Sequence, residues 1–331
     1  QILLNRCPLQ KWNSFIRRRK KRELTELLDG ASLIEPGDTG FLREVFSASN
    51  KSSWVYFPPF LCTYSLPPAR PVYALETNGF SVIIQYISRG GEDRIDLIIP
   101  PLPLSDCALE WLGEFVLYLS RCRNQSQLRI LWVDDEDKNL LSEKFGNSIE
   151  IQVKDSEYLY DPSLNWNMKG QKFRDFRKRV HRVQRLNPVF KEMSIGDVGS
   201  AYTLMREWRK LQGRKNGFLL DWGYTRSALE TFHQFSQKDL SVWNIEIEGN
   251  LKAFAMAGPI NMTTACFFVA KSDPRIIGLS EYLRWRVCGE MRSYDLVNDA
   301  GDLGIAGIKQ HKMKLRPVGF NTVYRAVMAV G

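Results

Sequence analysis

No apolar run in this 331-residue chain approaches the ~18–20 residues needed to span a bilayer. The most apolar stretches, Leu97–Leu104 and Ala108–Leu119, are short and either broken by proline or amphipathic. No signal-peptide pattern is visible; the chain opens on Gln1, and a membrane-spanning portion upstream of it stays open as an alternative. The six cysteines form no Cys-x-x-Cys pair and the three histidines are scattered, so no metal site is expected. The thiols read as reduced and partly buried in a cytosolic protein. There is no Gly-x-Ser-x-Gly elbow and no cysteine beside a histidine, which argues against a Ser or Cys nucleophile. Nothing favours a glycosidase-type carboxylate pair. No long low-complexity segment occurs, and no internal repeat beyond a pair of related domains.

What is present is enough for two domains of about 150 residues with real cores, since 44% of the chain is hydrophobic. The net charge of +9 is uneven. Residues 1–22 hold eight Lys/Arg and no acid; residues 23–150 hold 10 basic and 19 acidic groups; residues 151–331 hold 28 and 18. The basic second half implies a polyanionic partner or an anionic surface. The cluster Arg17–Arg22, after Trp12, Phe15 and Ile16, fits an anionic membrane surface, a tRNA backbone, or the solvated start of a helix running to Leu28.

The stretch Leu296–Pro317 gathers the candidate chemistry. Asn298, Asp299 and Asp302 share a loop with Gly301, Gly304 and Gly307; Lys309, His311, Lys312, Lys314 and Arg316 follow, and Pro317 stops the segment. Glycines let such a loop fold tightly around a ligand. Acid and base this close suit a site handling an amine on one side and an anion on the other. The plain alternative is a solvated turn before a basic helix end.

Along the first half, Trp54–Leu61 reads as an ordered loop or short strand, and Val72–Leu75 with Phe80–Tyr86 as a hairpin. Asp96–Ile99, Leu128–Val133 and Ile149–Val153 read as strands, Leu109–Leu119 as a helix, and Asp134–Asp137 as a solvated acidic loop. Glu157–Pro162 reads as a linker. After Gly170, Phe173, Phe176, Val180 and Val183 recur at helical spacing, while Lys172, Arg174, Arg177, Lys178, Arg179, Arg182 and Arg185 carry cations opposed only by Asp175. Such a face can follow nucleic-acid phosphates. Ala201–Gln212 is a further helix, and Leu219–Gly223 a turn into a helix Arg226–Phe235. Strands follow at Leu240–Glu248, Leu251–Pro259 and Thr263–Ala270, then a helix Ser280–Arg292 and a closing strand Thr322–Val330. Before that helix, Arg275-x-x-Gly278-x-Ser280 partly resembles an acyl-CoA pyrophosphate loop, where N–H groups at a helix start hold an anion.

The spacing Asn298-x-x-x-Asp302-Leu303-Gly304, then Gly307-Ile308-Lys309-x-x-Lys312 and Pro317, resembles the signature of the phosphatidylglycerol lysyltransferase C-terminal family. Tyr158-x-Tyr160-Asp161, Gly170 and the basic helix match it as well. The chain departs from the pattern at Lys314-Leu315 and at the apolar pair Ile305-Ala306. The resemblance implies an α+β fold of two GNAT-like (acyl-CoA N-acyltransferase-like) domains, each a mixed central sheet flanked by helices. They would span residues 1–155 and 156–331, the second holding the basic helix 172–186 and the signature loop 296–317. It also implies kinship with Fem-type aminoacyl-tRNA transferases. The expected activity is transfer of an aminoacyl group from aminoacyl-tRNA, a co-substrate needing no further cofactor, to a lipid, peptide or small-molecule acceptor. The expected place is the cytoplasm or the membrane periphery. On this reading Asp302 or Asp299 orients or deprotonates the acceptor and Asn298 holds the loop or donor. Lys309, Lys312, Arg316, Arg275, Gly278 and His311 meet phosphate or oxyanion, and Lys172–Arg185 binds tRNA. An acyl-CoA-dependent N-acyltransferase and a non-catalytic nucleic-acid-binding module are the alternatives.

Overall fold

The computed structural model describes residues 30–329 apart from 48, 50, 68–69, 78, 90–91 and 213–217. The basic cluster Arg17–Arg22 and the helix expected to reach Leu28 lie outside the described residues. The first half runs β1 (Ser32–Leu33), α1 (Thr39–Ser47), α2 (Pro58–Ser65), β2 (Val72–Thr77), β3 (Phe80–Arg89) and β4 (Glu92–Leu97). It continues through α3 (Asp106–Arg123), β5 (Gln127–Val133), α4 (Asp135–Phe145) and β6 (Ile149–Tyr160). The second half runs α5 (Pro162–Asn167), α6 (Arg174–Gln184), β7 (Val189–Glu192), α7 (Val198–Gln212), α8 (Phe218–Thr231), β8 (Ser241–Ile247) and β9 (Asn250–Pro259). It ends with β10 (Thr264–Ser272), α9 (Leu279–Glu290), β11 (Leu296–Asn298), α10 (Ala306–Lys314) and β12 (Gly319–Ala329).

These strands form one sheet in the order β1-β2-β3-β4-β5-β12-β6-β11-β10-β9-β8-β7. Each half repeats one plan: four antiparallel strands, a crossover helix, and a parallel neighbour. β4 meets β5 in parallel through α3, and β10 meets β11 in parallel through α9, because parallel neighbours need a long crossover. The last strand of each half is exchanged. β6 pairs with β11, β12 pairs with β5, and β6 and β12 lie antiparallel from Gly319↔Leu159 to Met328↔Ile149. The expected division at 155/156 falls inside β6, and the sheet is continuous across it.

Alternate residues along each strand point to opposite faces. On one face, Val82, Ile84 and Leu128 pack with Leu112 and Leu119 of α3, and Ala265 and Phe267 pack with α6 and α9. On the other face a single cluster joins the halves, Phe57, Phe60 and Leu61 meeting Phe254, Cys266 and Phe268.

Four local expectations are corrected. Trp54–Tyr56 is a 3-10 turn, and Pro58 sits in the first turn of α2, where its missing N–H costs nothing. The acidic run Asp135–Asp137 opens α4, whose N-terminal dipole favours negative charge. The expected linker is the end of β6 followed by Asp161, which caps α5 by accepting from Leu164 N at 2.9 Å. Leu219–Gly223 lies inside α8 instead of forming a turn.

Candidate active site

The parallel pairing of β10 and β11 brings the start of α9 and the loop after β11 to one end of the sheet. Gly278, with φ of 95°, precedes α9; a Cβ there would lie 2.7 Å from the Arg179 carbonyl oxygen, so glycine lets the helix start against α6. Arg275 is turned back on the same bend. Its guanidinium meets Asp273 at 2.7–2.8 Å and Glu207 at 2.5 Å, and it is not part of the cavity described below.

Asn298 is fully buried. Its Nδ2 donates to Glu157 Oε2 at 2.7 Å and to the Ser52 carbonyl at 3.0 Å, and its Oδ1 accepts from Ala300 N at 2.9 Å. It shapes the loop from behind. Asp299 faces two cations: Arg284 Nε at 3.3 Å and Lys312 Nζ at 3.8 Å. The Lys312 ammonium also donates to the carbonyl oxygens of Asp299 and Ala300, the latter at 3.1 Å. Burial pulls the Lys312 pKa below that of an ordinary lysine, against the pull of Asp299. Gly301 passes so close to the Asp155 carboxylate that a Cβ would overlap it, and Asp155 accepts from Asp302 N (3.3 Å) and Leu303 N (3.2 Å). Asp302 accepts from the Tyr158 hydroxyl at 2.6 Å and from Gly304 N at 2.9 Å.

His311 lies 3.2 Å from Ser280 Oγ and, through Nδ1, 3.9 Å from Glu281. Burial, helped by the Arg284 charge, holds its pKa down to about 3, so the imidazole is neutral at pH 7. Glu281 in turn pairs with Arg179 at 3.3 Å. Glu157 is buried and accepts from Trp54 N at 3.1 Å, from Asn298 and from Asn321 Nδ2 at 3.0 Å. Burial lifts its carboxyl to about 7.

These groups open on a cavity of about 740 Å³. Of the residues singled out in the sequence, Asp299, Lys312, His311, Lys314, Gly278, Ser280, Arg179 and the loop glycines Gly301 and Gly307 line it. Asn298 supports it, and Asp302 is fastened to Tyr158 at the loop edge. Lys309 and Arg316 are exposed and lie outside the lining; Arg316 Nε donates to the Lys172 carbonyl at 2.8 Å, joining the loop end to the approach of α6. Along α6, Phe176, Val180 and Val183 are buried, while Arg174, Lys178 and Arg182 are exposed, as are Lys172 just before the helix and Arg185 just after it. Arg177 is spent on the Met168 and Gly170 carbonyls.

Sequence reading missed Glu157, placed in a supposed linker, and Arg284 and Glu281, hidden in a helix. It also missed the aromatic part of the lining, Trp54, Phe60, Trp132, Tyr224 and Phe268. The one local signal was Ser280 and Arg284 at i, i+4, now joined at 3.1 Å. Among the described residues no three His, Cys, Asp or Glu side chains are grouped to hold a metal ion, and no helix is long and apolar enough to cross a membrane.

Comparison with curated protein sequences gives no match. Among solved structures, a conserved protein of unknown function from Bacteroides thetaiotaomicron superposes with a TM-score of 0.72 at 18% identity, covering 90% of this chain and 99% of that one. L-PGS from Bacillus licheniformis gives 0.63 at 16% identity, with 90% and 93% covered. FemX gives 0.61 at 8% identity, with 88% and 96% covered. At these identities the likeness is one of fold. The family model described as "Phosphatidylglycerol lysyltransferase, C-terminal" matches residues 119–327, taking in β6, α6, α9, the glycine loop and β12. The chain therefore belongs to the phosphatidylglycerol lysyltransferase C-terminal family.

Proposed function

We propose that this protein is an acyltransferase that moves an aminoacyl group from aminoacyl-tRNA to an amine or hydroxyl of a lipid, peptide or small-molecule acceptor. The observation that carries this reading is the cavity in which Arg284 of α9 and Lys312 face Asp299, within a chain of this family.

Aminoacyl esters are already activated, so positioning and charge stabilisation suffice without a covalent enzyme intermediate. The acceptor nitrogen or oxygen attacks the ester carbonyl and forms the new amide or ester bond. The bond to the tRNA ribose breaks, and the ribose oxygen leaves with a proton. Asp299 orients the acceptor; Lys312, Arg284 and the N–H groups at the start of α9 offset negative charge as it develops. Asn298, Asp302 and Glu157 hold the loop. The cations of α6, extended through Lys172 and Arg316, bind the tRNA backbone, with Arg179 where that face meets the cavity. We also read the two halves as GNAT-like repeats with exchanged closing strands. The acyl-CoA reading is weakened by Arg275, whose guanidinium is occupied by Asp273 and Glu207.

Incubating the protein with a mixture of labelled aminoacyl-tRNAs and cell extract tests this. Label should pass to a ribonuclease-resistant product. Consumption of acyl-CoA with no transfer from any aminoacyl-tRNA would overturn the reading.

A further inference from the structure

The first half is acidic by sequence, with 10 basic against 19 acidic groups over residues 23–150, yet one face of its sheet is basic. Ile95, Leu97, Leu128, Ile130 and Ala326 turn toward α3, so the residues alternating with them turn to the other face. These are Arg94 and Asp96 of β4, Arg129 of β5 and Arg325 of β12, the last brought in by the strand exchange. Asp96 is fully buried and fixes two guanidinium groups. Arg129 reaches it through Nε at 3.1 Å and Nη2 at 2.9 Å, and Arg94 through Nε at 3.1 Å. The charges of Arg70 and Arg325 act on the same carboxylate, and neither has an ion pair or hydrogen bond of its own among the described residues. Glu150 is a second carboxylate on this face and accepts from Gln152 at 2.5 Å.

Like charges on adjacent strands repel, and Arg325 lies diagonally from Arg129, whose direct partner is Val327. Stability gives no reason for that crowding; an anion laid on the face does. The face also leads into the cavity. β5 bulges there, Leu131 and Trp132 together opposing Arg325, and Lys154 Nζ joins β6 to the bulge by donating to the Leu131 carbonyl at 2.7 Å. Trp132, Val323 and Lys154 line the cavity, and Arg129, Arg325 and Gln152 follow outward on the same three strands. The cations of α6 meet the cavity from the second half, at Arg179; this face meets it from the first.

We infer that this face of the first half is a phosphate-ester site. Arg94, Arg129 and Arg325 hold the anionic group with the planar donor forks that suit it, and the rest of the ligand points along β5 toward Trp132 and the cavity. The site is a second anion-binding surface beside that of α6, and it stands whether or not the chain transfers an aminoacyl group.

A nucleotide terminus and a small glycerol ester both present this group. Cytidine 5′-monophosphate and glycerol 3-phosphate are therefore titrated separately against the whole chain by calorimetry at fixed ionic strength, with cytidine and glycerol as uncharged controls. The esters are expected to bind and the controls not, and the tighter ester names the source. Arg325→Gln and Arg94→Gln, each confirmed as folded by circular dichroism, should weaken that ester at least ~10-fold through loss of a charge-assisted contact. Arg121→Gln, exposed on α3 across the sheet, should change it by less than about twofold. Reversal of Arg174, Lys178 and Arg182 to Glu on α6 should leave ester binding in place. Absence of binding by both esters, equal binding of the uncharged controls, or no effect of Arg325→Gln and Arg94→Gln overturns the inference. So does an equal loss in Arg121→Gln or in the α6 variant. Each of these leaves the aminoacyl-transfer reading intact, since label transfer decides that separately.

Discussion

At the scale of single residues, charge and burial decide how the site behaves. Lys312 is 6% exposed and holds two loop carbonyls besides facing Asp299. Lys312→Met leaves those carbonyls and Asp299 under-partnered, at about 3–5 kcal/mol of stability. Transfer should disappear in preparations kept folded at low temperature; retained turnover there would remove Lys312 from the machinery. Glu157 sets a pH dependence. Its carboxyl titrates near 7 when folded, against an ordinary value of 4.5, so between those pH values the folded chain keeps a proton that the unfolded chain has released. Stability therefore falls as pH rises through that window, by about 1.4 kcal/mol per unit from this group. Glu157→Gln should remove that contribution, so that urea midpoints at pH 5, 6, 7 and 8 fall less, or rise more, with pH than those of the unsubstituted chain. His311 contributes the opposite sign: its folded value near 3 means stability is lost as pH drops below 6.5. The charges of the signature loop were readable from spacing because Asn298, Asp299 and Lys312 are near in sequence. Arg284, Glu157 and the aromatic part of the lining were not, because nothing local says that residues 54, 132, 157 and 268 converge.

At the scale of elements, the start of α9 and the face of α6 are the parts to perturb. Gly278→Ala forces a side chain into a left-handed backbone and against the Arg179 carbonyl, for about 2–4 kcal/mol. Thermal unfolding should show it, and a neutral result would mean that α9 can shift away from α6 without loss. Reversing Arg174, Lys178 and Arg182 to Glu together leaves the buried stripe of α6 intact, so the melting temperature should move little. The tRNA binding we propose should weaken, and its dependence on salt should become shallower by about 0.7–0.9 in log–log slope for each phosphate no longer neutralised. Filter binding at several salt concentrations reads both. The α6 stripe was legible in sequence because its apolar residues recur at 3 and 4. α2 was not: all eight of its residues, Pro58–Ser65, are buried, so no period marks it as a helix. The end of β6 was mistaken for a linker because Glu157 put a charge where a strand core was expected; two asparagines and a backbone N–H satisfy it.

At the scale of the whole molecule, β12 is the element on which both halves depend. It fills the space between β5 and β6, and no sequence period announces which strands it joins, since pairing partners are set by distant contacts. The closing strand itself was visible in the alternation of Thr322–Val330; its insertion in the middle of the sheet was not. Urea unfolding followed by circular dichroism and by tryptophan fluorescence should give coincident transitions. Two separated transitions would show that the halves fold independently. Truncation before Gly319 should abolish the folded state of both. The exchange also shapes how the protein is made. Residues 161–318 must leave the ribosome after β6 and before β12, about ten to thirty seconds of translation. Through that interval the nascent chain displays the bare flank of β5, a template on which neighbouring polypeptides on the same messenger can aggregate unless a chaperone shields it.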